Sequence, residues 1–110
     1  MIGEKLSFIM IYTTLPDEAV TKKISRILVE ENLVACVNFF SIRSVYKWEN
    51  KLNEDQEYAL IMKTRTYLYK DVEKKLKELH PYKVPAIVCY EIKNGLKDYL
   101  SWIKEETKME

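Results

Sequence analysis

The periodicity of apolar and polar positions changes along the chain, and each change marks a new secondary-structure element. Residues 6–14 (LSFIMIYTT) form a continuous apolar, β-branched and aromatic run, which predicts a buried strand. Pro16 and the two acids that follow it favour a helix start. Apolar side chains then recur at helical spacing, at Val20, Ile24, Ile27 and Leu28. This spacing predicts a helix of about four turns.

The segment from residue 33 to residue 48 returns to strand character, and from Phe40 its side chains alternate between two faces. Residues 49–51 (ENK) predict a turn, after which residues 52–64 run back as a second strand. A continuous strand of about 16 residues would be roughly 50 Å long, whereas a small domain is only about 30 Å across. The hairpin must therefore bend or protrude.

The tip of this hairpin carries Tyr46 and Trp48 beside a polar returning strand. An exposed aromatic ribbon promotes aggregation unless a partner covers it. We therefore predict that the hairpin is an assembly arm in a homo-oligomer. The alternative, a short strand followed by an ordinary loop, stays open on the pattern alone.

The second half of the chain repeats the alternation of helix and strand. Residues 66–80 predict an amphipathic helix, with Thr66 as its N-cap and an inward face of Leu68, Val72, Leu76 and Leu79. A strand (86–92) and a short helix (96–106) follow. The order β-α-β-β-α-β-α predicts an α+β, ferredoxin-like βαββαβ domain over residues 1–110, with an extra C-terminal helix. The two long helices each have one apolar face, so they should cover one face of an antiparallel sheet.

Composition narrows the classes of function. The 110 residues include 18 basic and 17 acidic side chains, for a net charge of +1. This balance gives no electrostatic reason to expect nucleic acid or anionic lipid as a partner. No apolar run approaches the roughly 18 residues that span a bilayer, and the N-terminus has a strand pattern rather than that of a signal peptide. We therefore expect a cytoplasmic protein without a membrane partner.

Few residues suggest enzymatic chemistry. With only Gly3 and Gly95, glycine-rich phosphate loops are absent, and a single histidine excludes multi-histidine zinc sites. Cys36 and Cys89 lie inside apolar strand patterns, where burial disfavours the reactive thiolate. We interpret both cysteines as small buried hydrophobes and expect the protein not to be an enzyme.

The segment HPYKVP (80–85), called the His80 corner below, contains the only histidine and two of the three prolines. One interpretation is structural: His80 ends a helix, where an imidazolium would favour the negative end of the helix dipole, and Pro81 prevents continuation. The other interpretation makes His80 a metal ligand or a proton carrier. The residues of the corner alone leave both open.

Carboxylates offer a second candidate site. Glu49, Glu54, Asp55 and Glu57 surround the hairpin. Strand alternation places Asp55 and Glu57 on one face, so a hard-cation or copper site between subunits is one interpretation. A solvated strand whose charges protect its edge is the other.

Several stretches together resemble one family. The segments are YTTLPDEA, LVACVN, SVYKWENKLNEDQE, LIMKT, HPYKVPAIV and DYLSWI. They are similar to the CutA family, the divalent-cation tolerance proteins, and span nearly the whole chain in the right order. The resemblance implies a cytoplasmic homotrimer assembled like the PII signalling proteins. It also implies a non-enzymatic role in tolerance of copper and other divalent metals.

The resemblance also implies roles for particular residues. Tyr46, Trp48, Glu49 and Lys51 would belong to the trimer-forming hairpin, and Trp102 to a C-terminal docking segment. His80 would bind copper(II). An alternative is a PII-like regulatory or scaffold trimer, whose subunit clefts receive a small molecule or a protein without physiological metal binding.

Overall fold

The computed structural model describes residues 8–110. The strands are β1 (Phe8–Leu15), β2 (Cys36–Trp48), β3 (Lys51–Arg65) and β4 (Ile87–Ile92). The helices are α1 (Glu18–Glu30), α2 (Tyr69–Leu79) and α3 (Lys97–Glu106), with one 3-10 turn (Thr66–Leu68) before α2. The first two positions of the predicted first strand, residues 6 and 7, lie outside the described residues.

The four strands form one antiparallel sheet in the order β2-β3-β1-β4. β1 pairs with both β3 and β4, so that Thr13 lies opposite Leu60 on one side and Ile87 on the other. The helix α1 connects β1 to β2 across the intervening β3, which is the split βαβ arrangement. The predicted α+β, ferredoxin-like fold is confirmed.

The predicted long hairpin is also confirmed. β2 and β3 pair from Cys36–Lys63 to Trp48–Lys51. Glu49 and Asn50 form the two-residue turn, with φ values of 51° and 65°. Positive φ at both positions gives the twist that matches a pair of antiparallel strands. The molecule is therefore elongated, with extents of 50 × 25 × 23 Å.

Helices α1 and α2 cover one face of the sheet. Their Ile24, Leu28, Val72 and Leu76 are fully buried against Ile11 and its neighbours in the main core. α1 begins at Asp17, whose carboxylate accepts a hydrogen bond from the Val20 N–H at 2.9 Å. In the part of the chain described, none of the helices is both long and apolar enough to cross a membrane.

The start of α2 differs from its prediction. Thr66 does not cap the helix but opens the 3-10 turn, in which the Tyr69 N–H bonds to the Thr66 carbonyl. The N-cap of α2 is Leu68, which has no side-chain capping bond. The backbone turn thus satisfies groups that a capping hydroxyl would otherwise serve.

The opposite face of the sheet is only partly covered. Strand alternation turns Phe8 away from Ile9, and Phe8 packs in a second cluster with Ala35 and Ile103 of α3. The remainder of this face carries half-exposed aromatic side chains along β2 and β4. We call it the open face; its exposed aromatic residues are Phe40, Tyr46, Trp48 and Tyr90.

The interpretation of both cysteines as buried hydrophobes is wrong for this protomer. Cys89 is exposed and Cys36 is half-buried. Their strands, β4 and β2, are the two edges of the sheet, where an apolar sequence pattern does not ensure cover on both faces.

Candidate functional site

The His80 corner ties α2 to the sheet. The His80 N–H continues the helix by bonding to the Leu76 carbonyl at 2.8 Å. The imidazole is only 8% exposed. Its Nδ1 accepts a hydrogen bond from the Tyr82 N–H at 3.2 Å. Because Nδ1 accepts, the proton of the neutral ring resides on Nε2, which donates to Thr13 Oγ1 at 3.1 Å.

This environment favours a neutral imidazole. Burial lowers the pKa of His80, although a hydrogen bond with the Thr14 backbone and the charge of Glu57 act in the opposite direction. The sequence-based suggestion of a charged imidazolium at the helix end is therefore wrong, because the ring is desolvated and its Nδ1 faces a donor. The predicted helix end at this position is confirmed, with His80 as the C-cap.

The same hydrogen bonds bear on copper binding. Both ring nitrogens of His80 are engaged, so a metal ion would have to displace either Thr13 or the Tyr82 N–H. Within residues 8–110, no group of three or more His, Cys, Asp and Glu side chains lies close enough together to hold a metal ion. The residues of one protomer therefore do not fit a complete copper site, and the assignment of His80 as a ligand stays a prediction.

Two tyrosine–carboxylate pairs lie on the open face near the corner. The Tyr46 hydroxyl donates to Asp55 Oδ2 at 2.5 Å, and the Tyr82 hydroxyl donates to Glu57 Oε2 at 2.5 Å. Asp55 and Glu57 share one face of β3, as alternation predicts. The Tyr82–Glu57 pair joins the hairpin to the segment that leads into β4, whereas the Tyr46–Asp55 pair links the two strands of the hairpin.

Both phenols are held in the protonated form. The hydrogen bond to Asp55 is the main cause that raises the pKa of Tyr46. Burial raises the pKa of Tyr82, and the hydrogen bond and charge of Glu57 raise it further. Each phenolic proton is consequently committed to a carboxylate oxygen.

These pairs border a cleft of about 540 Å³, which we call the hairpin cleft. Its lining residues come from β1, the hairpin and the segment 81–86; they are Thr14, Tyr46, Trp48, Glu49, Glu57, Pro81, Tyr82, Lys83, Val84 and Ala86. A volume of this order is typical of sites for small molecules. The cleft is thus a concave feature that the predicted site residues Tyr46, Trp48 and Glu49 help to line.

The structure brings most of the predicted interface residues together. Tyr46, Trp48 and Glu49 line the hairpin cleft, and Lys51 lies opposite Trp48 beside the turn. Trp102 is separate from them, on α3, where its ring stacks on Tyr99 with centroids 5.7 Å apart. Their role in a trimer stays a prediction.

Sequence reasoning did not assign Tyr82 or Thr13 to the site. Tyr82 lies between the two prolines of the His80 corner, and Thr13 is a polar residue near the end of an apolar strand. A polar side chain in a buried strand requires a partner, which was the available signal for Thr13. The partner itself is 67 positions away in the sequence, so no local pattern identifies it.

The fold and the cleft define a class of protein: a ferredoxin-like α+β domain with an overlong hairpin and a partly uncovered sheet face. Comparison with known proteins narrows this class to one family. Residues 9–106 match the model of the CutA1 divalent ion tolerance protein family. The chain belongs to this family.

Individual relatives support the same family assignment. The divalent-cation tolerance protein CutA of Pyrococcus horikoshii is 44% identical over 100 residues, which is 91% of this chain and 98% of that protein. A crystal structure of a variant of the same protein superposes with a TM-score of 0.90, covering 92% of this chain and 99% of that one. The structure of a periplasmic divalent cation tolerance protein, CutA of Archaeoglobus fulgidus, has a TM-score of 0.90 at 38% identity, with coverage of 92% and 99%.

Proposed function

We propose that this protein is a non-enzymatic, cytoplasmic homotrimer that contributes to divalent-cation tolerance, with copper(II) as the cation. Membership of the CutA1 family supports the link to divalent cations. The observation that carries the assembly is the open face, on which Phe40 and Trp48 are each 47% exposed and Tyr90 is 57% exposed. Exposed aromatic residues that recur along one face of a sheet are typical of an interaction site.

Copies of this chain are suitable partners for that face. Three of the four aromatic residues, Phe40, Tyr46 and Trp48, lie along a hairpin that extends from the main core, so a neighbouring subunit can reach them without rearrangement of the core. In this proposal, Tyr46, Trp48, Glu49, Lys51 and Trp102 contact partner subunits. The test is the mass of the protein in solution, which for this proposal equals that of three copies of the chain.

The metal part of the proposal is tested by calorimetric titration of copper(II) into the native protein in a non-chelating buffer. His80→Ala removes the imidazole, and we expect it to abolish micromolar binding if His80 is a ligand. His80→Gln is the matched control, because an amide can imitate both hydrogen bonds of the neutral ring but is a poor copper ligand.

Loss of binding in both variants would support coordination by His80. Loss in His80→Ala alone would assign the effect to the hydrogen bonds of the corner. Binding that is absent from the native protein, or equal in all three proteins, would contradict a copper role for His80.

The hairpin cleft favours a second candidate, a regulatory trimer of the PII kind that receives a small molecule. Its volume of about 540 Å³ and its mixed aromatic and polar lining suit such a ligand. Copper binding at one ion per subunit distinguishes the first candidate from the second, which requires no metal.

A further inference from the structure

The wall of the hairpin cleft contains a buried carboxylate, that of Glu57. This side chain is 7% exposed, and one of its oxygens accepts the Tyr82 hydroxyl bond. The other oxygen, Oε1, makes no hydrogen bond within residues 8–110. It is not sealed from solvent, because the fully buried side-chain atoms without a partner in that range are Ser25 Oγ and Arg65 Nε. A buried carboxylate is costly unless a cation or further donors compensate it.

No cation of the described chain supplies this compensation. Its recorded ion pairs join Lys22 to Glu18 and Lys75 to Glu31, and neither pair involves the hairpin. Lys83 lines the cleft but is exposed and makes no ion pair within the described residues. The cleft therefore has an unneutralised carboxylate in its wall.

Like this carboxylate, the two tyrosines of the cleft favour a positively charged ligand. The hydroxyl protons of Tyr46 and Tyr82 already bond to Asp55 and Glu57, so neither phenol has a proton to offer to an anionic ligand. Their oxygens can still accept. Two phenol oxygens and the free oxygen of Glu57 thus form a group of acceptors, and a complementary ligand must donate hydrogen bonds.

The remaining walls are apolar. Trp48, Pro81, Val84 and Ala86 line the cleft beside the acceptors. Trp48 can also attract a cation through its ring face. A ligand that matches both parts has a charged donor at one end and a compact hydrocarbon or aromatic body at the other.

We propose that the hairpin cleft binds a small organic primary ammonium ion, with its ammonium group on Glu57 and its apolar body against Trp48. The inference deepens the regulatory candidate above and rests on that proposed function. A primary ammonium supplies three donors, which suits a group of acceptors better than a quaternary ammonium does. The main rival is a lysine or arginine of a partner subunit that enters the same cleft.

The test uses 2-phenylethylammonium as the probe and 2-phenylethanol as a neutral analogue of similar shape. Both are titrated calorimetrically into the full-length, assembled protein near neutral pH. We expect saturable binding of the amine and at least about tenfold weaker binding of the alcohol, since the ammonium has a positive charge and three donors whereas the hydroxyl is a single neutral donor.

The matched variants are Glu57→Gln and Glu54→Gln. Glu54 lies on the same strand, but alternation turns it to the opposite face, where it pairs with Val45. We expect Glu57→Gln to weaken amine binding at least about tenfold and Glu54→Gln to leave it unchanged. Higher salt should weaken binding to the native protein and have less effect on Glu57→Gln.

Three results would overturn the inference: no amine binding, equal binding of amine and alcohol, or equal effects of the two variants. The comparison of amine with alcohol needs no variant, so it decides even if Glu57→Gln fails to fold. Light scattering on the same samples tests the rival interpretation, in which a lysine or arginine of a partner subunit occupies the cleft. If the native protein binds no amine and Glu57→Gln reduces the assembled mass, a partner's cation occupies the cleft. An intact trimer that binds no amine would overturn this ligand alone, whereas a monomer would contradict the proposed function.

Discussion

At the scale of single residues, the imidazole of His80 links three parts of the fold. Its backbone ends α2, its Nε2 donates to Thr13 of β1, and its Nδ1 accepts from Tyr82 in the segment that leads to β4. The ring can make all these contacts only when it is neutral, because a protonated Nδ1 would face another donor. The corner is therefore sensitive to protonation.

We predict that acid destabilises the protein through this residue. Since burial lowers the pKa of folded His80 below the unfolded value of about 6.5, the unfolded chain binds the proton more tightly. The contribution of His80 to the free energy of unfolding is fully present above the pKa of the unfolded state. It decreases as the pH falls below about 6.5 toward the pKa of the folded state. Urea unfolding at fixed protein concentration, from about pH 7.5 to about pH 5, measures the effect.

The control for this prediction is His80→Gln, which has no titrating ring. Because the chain contains one histidine, the difference between the two proteins isolates its contribution. The native free energy of unfolding should fall more steeply with acid than that of the variant. Parallel curves would show that protonation of His80 is not linked to folding.

At this scale the sequence predicted the position of His80 but not its protonation state. The prolines and the helix pattern place it at the end of α2, since those signals are local. Its charge depends on burial, on the Thr14 backbone and on Glu57, and these parts of the chain come together only when the sheet forms. The same limit applies to Tyr82, whose carboxylate partner lies 25 positions earlier.

At the scale of elements, α1 shows how a short sequence signal fixes a boundary. Asp17 is extended, with φ −149°, and its side chain satisfies the Val20 N–H. At the other end, Asn32 adopts a φ of 59°, in the left-handed region that asparagine tolerates better than most residues. These two residues bracket a helix whose Ile24 and Leu28 are completely buried.

We predict that Asp17→Ala lowers the free energy of unfolding by about 1 kcal/mol, because the first turn of α1 loses its side-chain acceptor. Asp17→Asn keeps an oxygen at the same place and should cost much less. Thermal or urea unfolding of the three proteins provides the comparison. If Asn costs as much as Ala, the carboxylate charge rather than the hydrogen bond stabilises the helix start.

Element order and type followed from the sequence because they depend on local period. The hairpin was predicted from alternation, and its turn at Glu49 and Asn50 lies within the predicted segment. Predictions that depended on the surroundings of an element were less successful. Thr66 has the right chemistry for a cap, yet the backbone turns there without it, and Cys89 has apolar neighbours but lies on an edge strand.

At the scale of the whole molecule, the two faces of the sheet are unequal. α1 and α2 cover one face, whereas α3 covers only the end of the other near Phe8 and Ala35. The length of the hairpin, which the sequence predicted, leaves its aromatic residues beyond the reach of α3. Cover for them would have to come from another molecule, and the periodicity of a single chain contains no information on a partner's position.

The open face therefore leads to a prediction about mass. Tyr46→Ala combined with Trp48→Ala should shift the proposed trimer toward smaller species in light scattering. Both side chains lie on the open face near the hairpin tip and are 41% and 47% exposed in the single chain. Val45→Ala combined with Lys47→Ala is the matched control, since alternation turns these residues to the opposite face of the same strand. A trimer that persists in the first variant, or that dissociates equally in both, would show that the open face of the hairpin does not hold the subunits together. Dissociation of the first variant alone would place the hairpin cleft beside a subunit boundary, where ligand binding and assembly could influence each other.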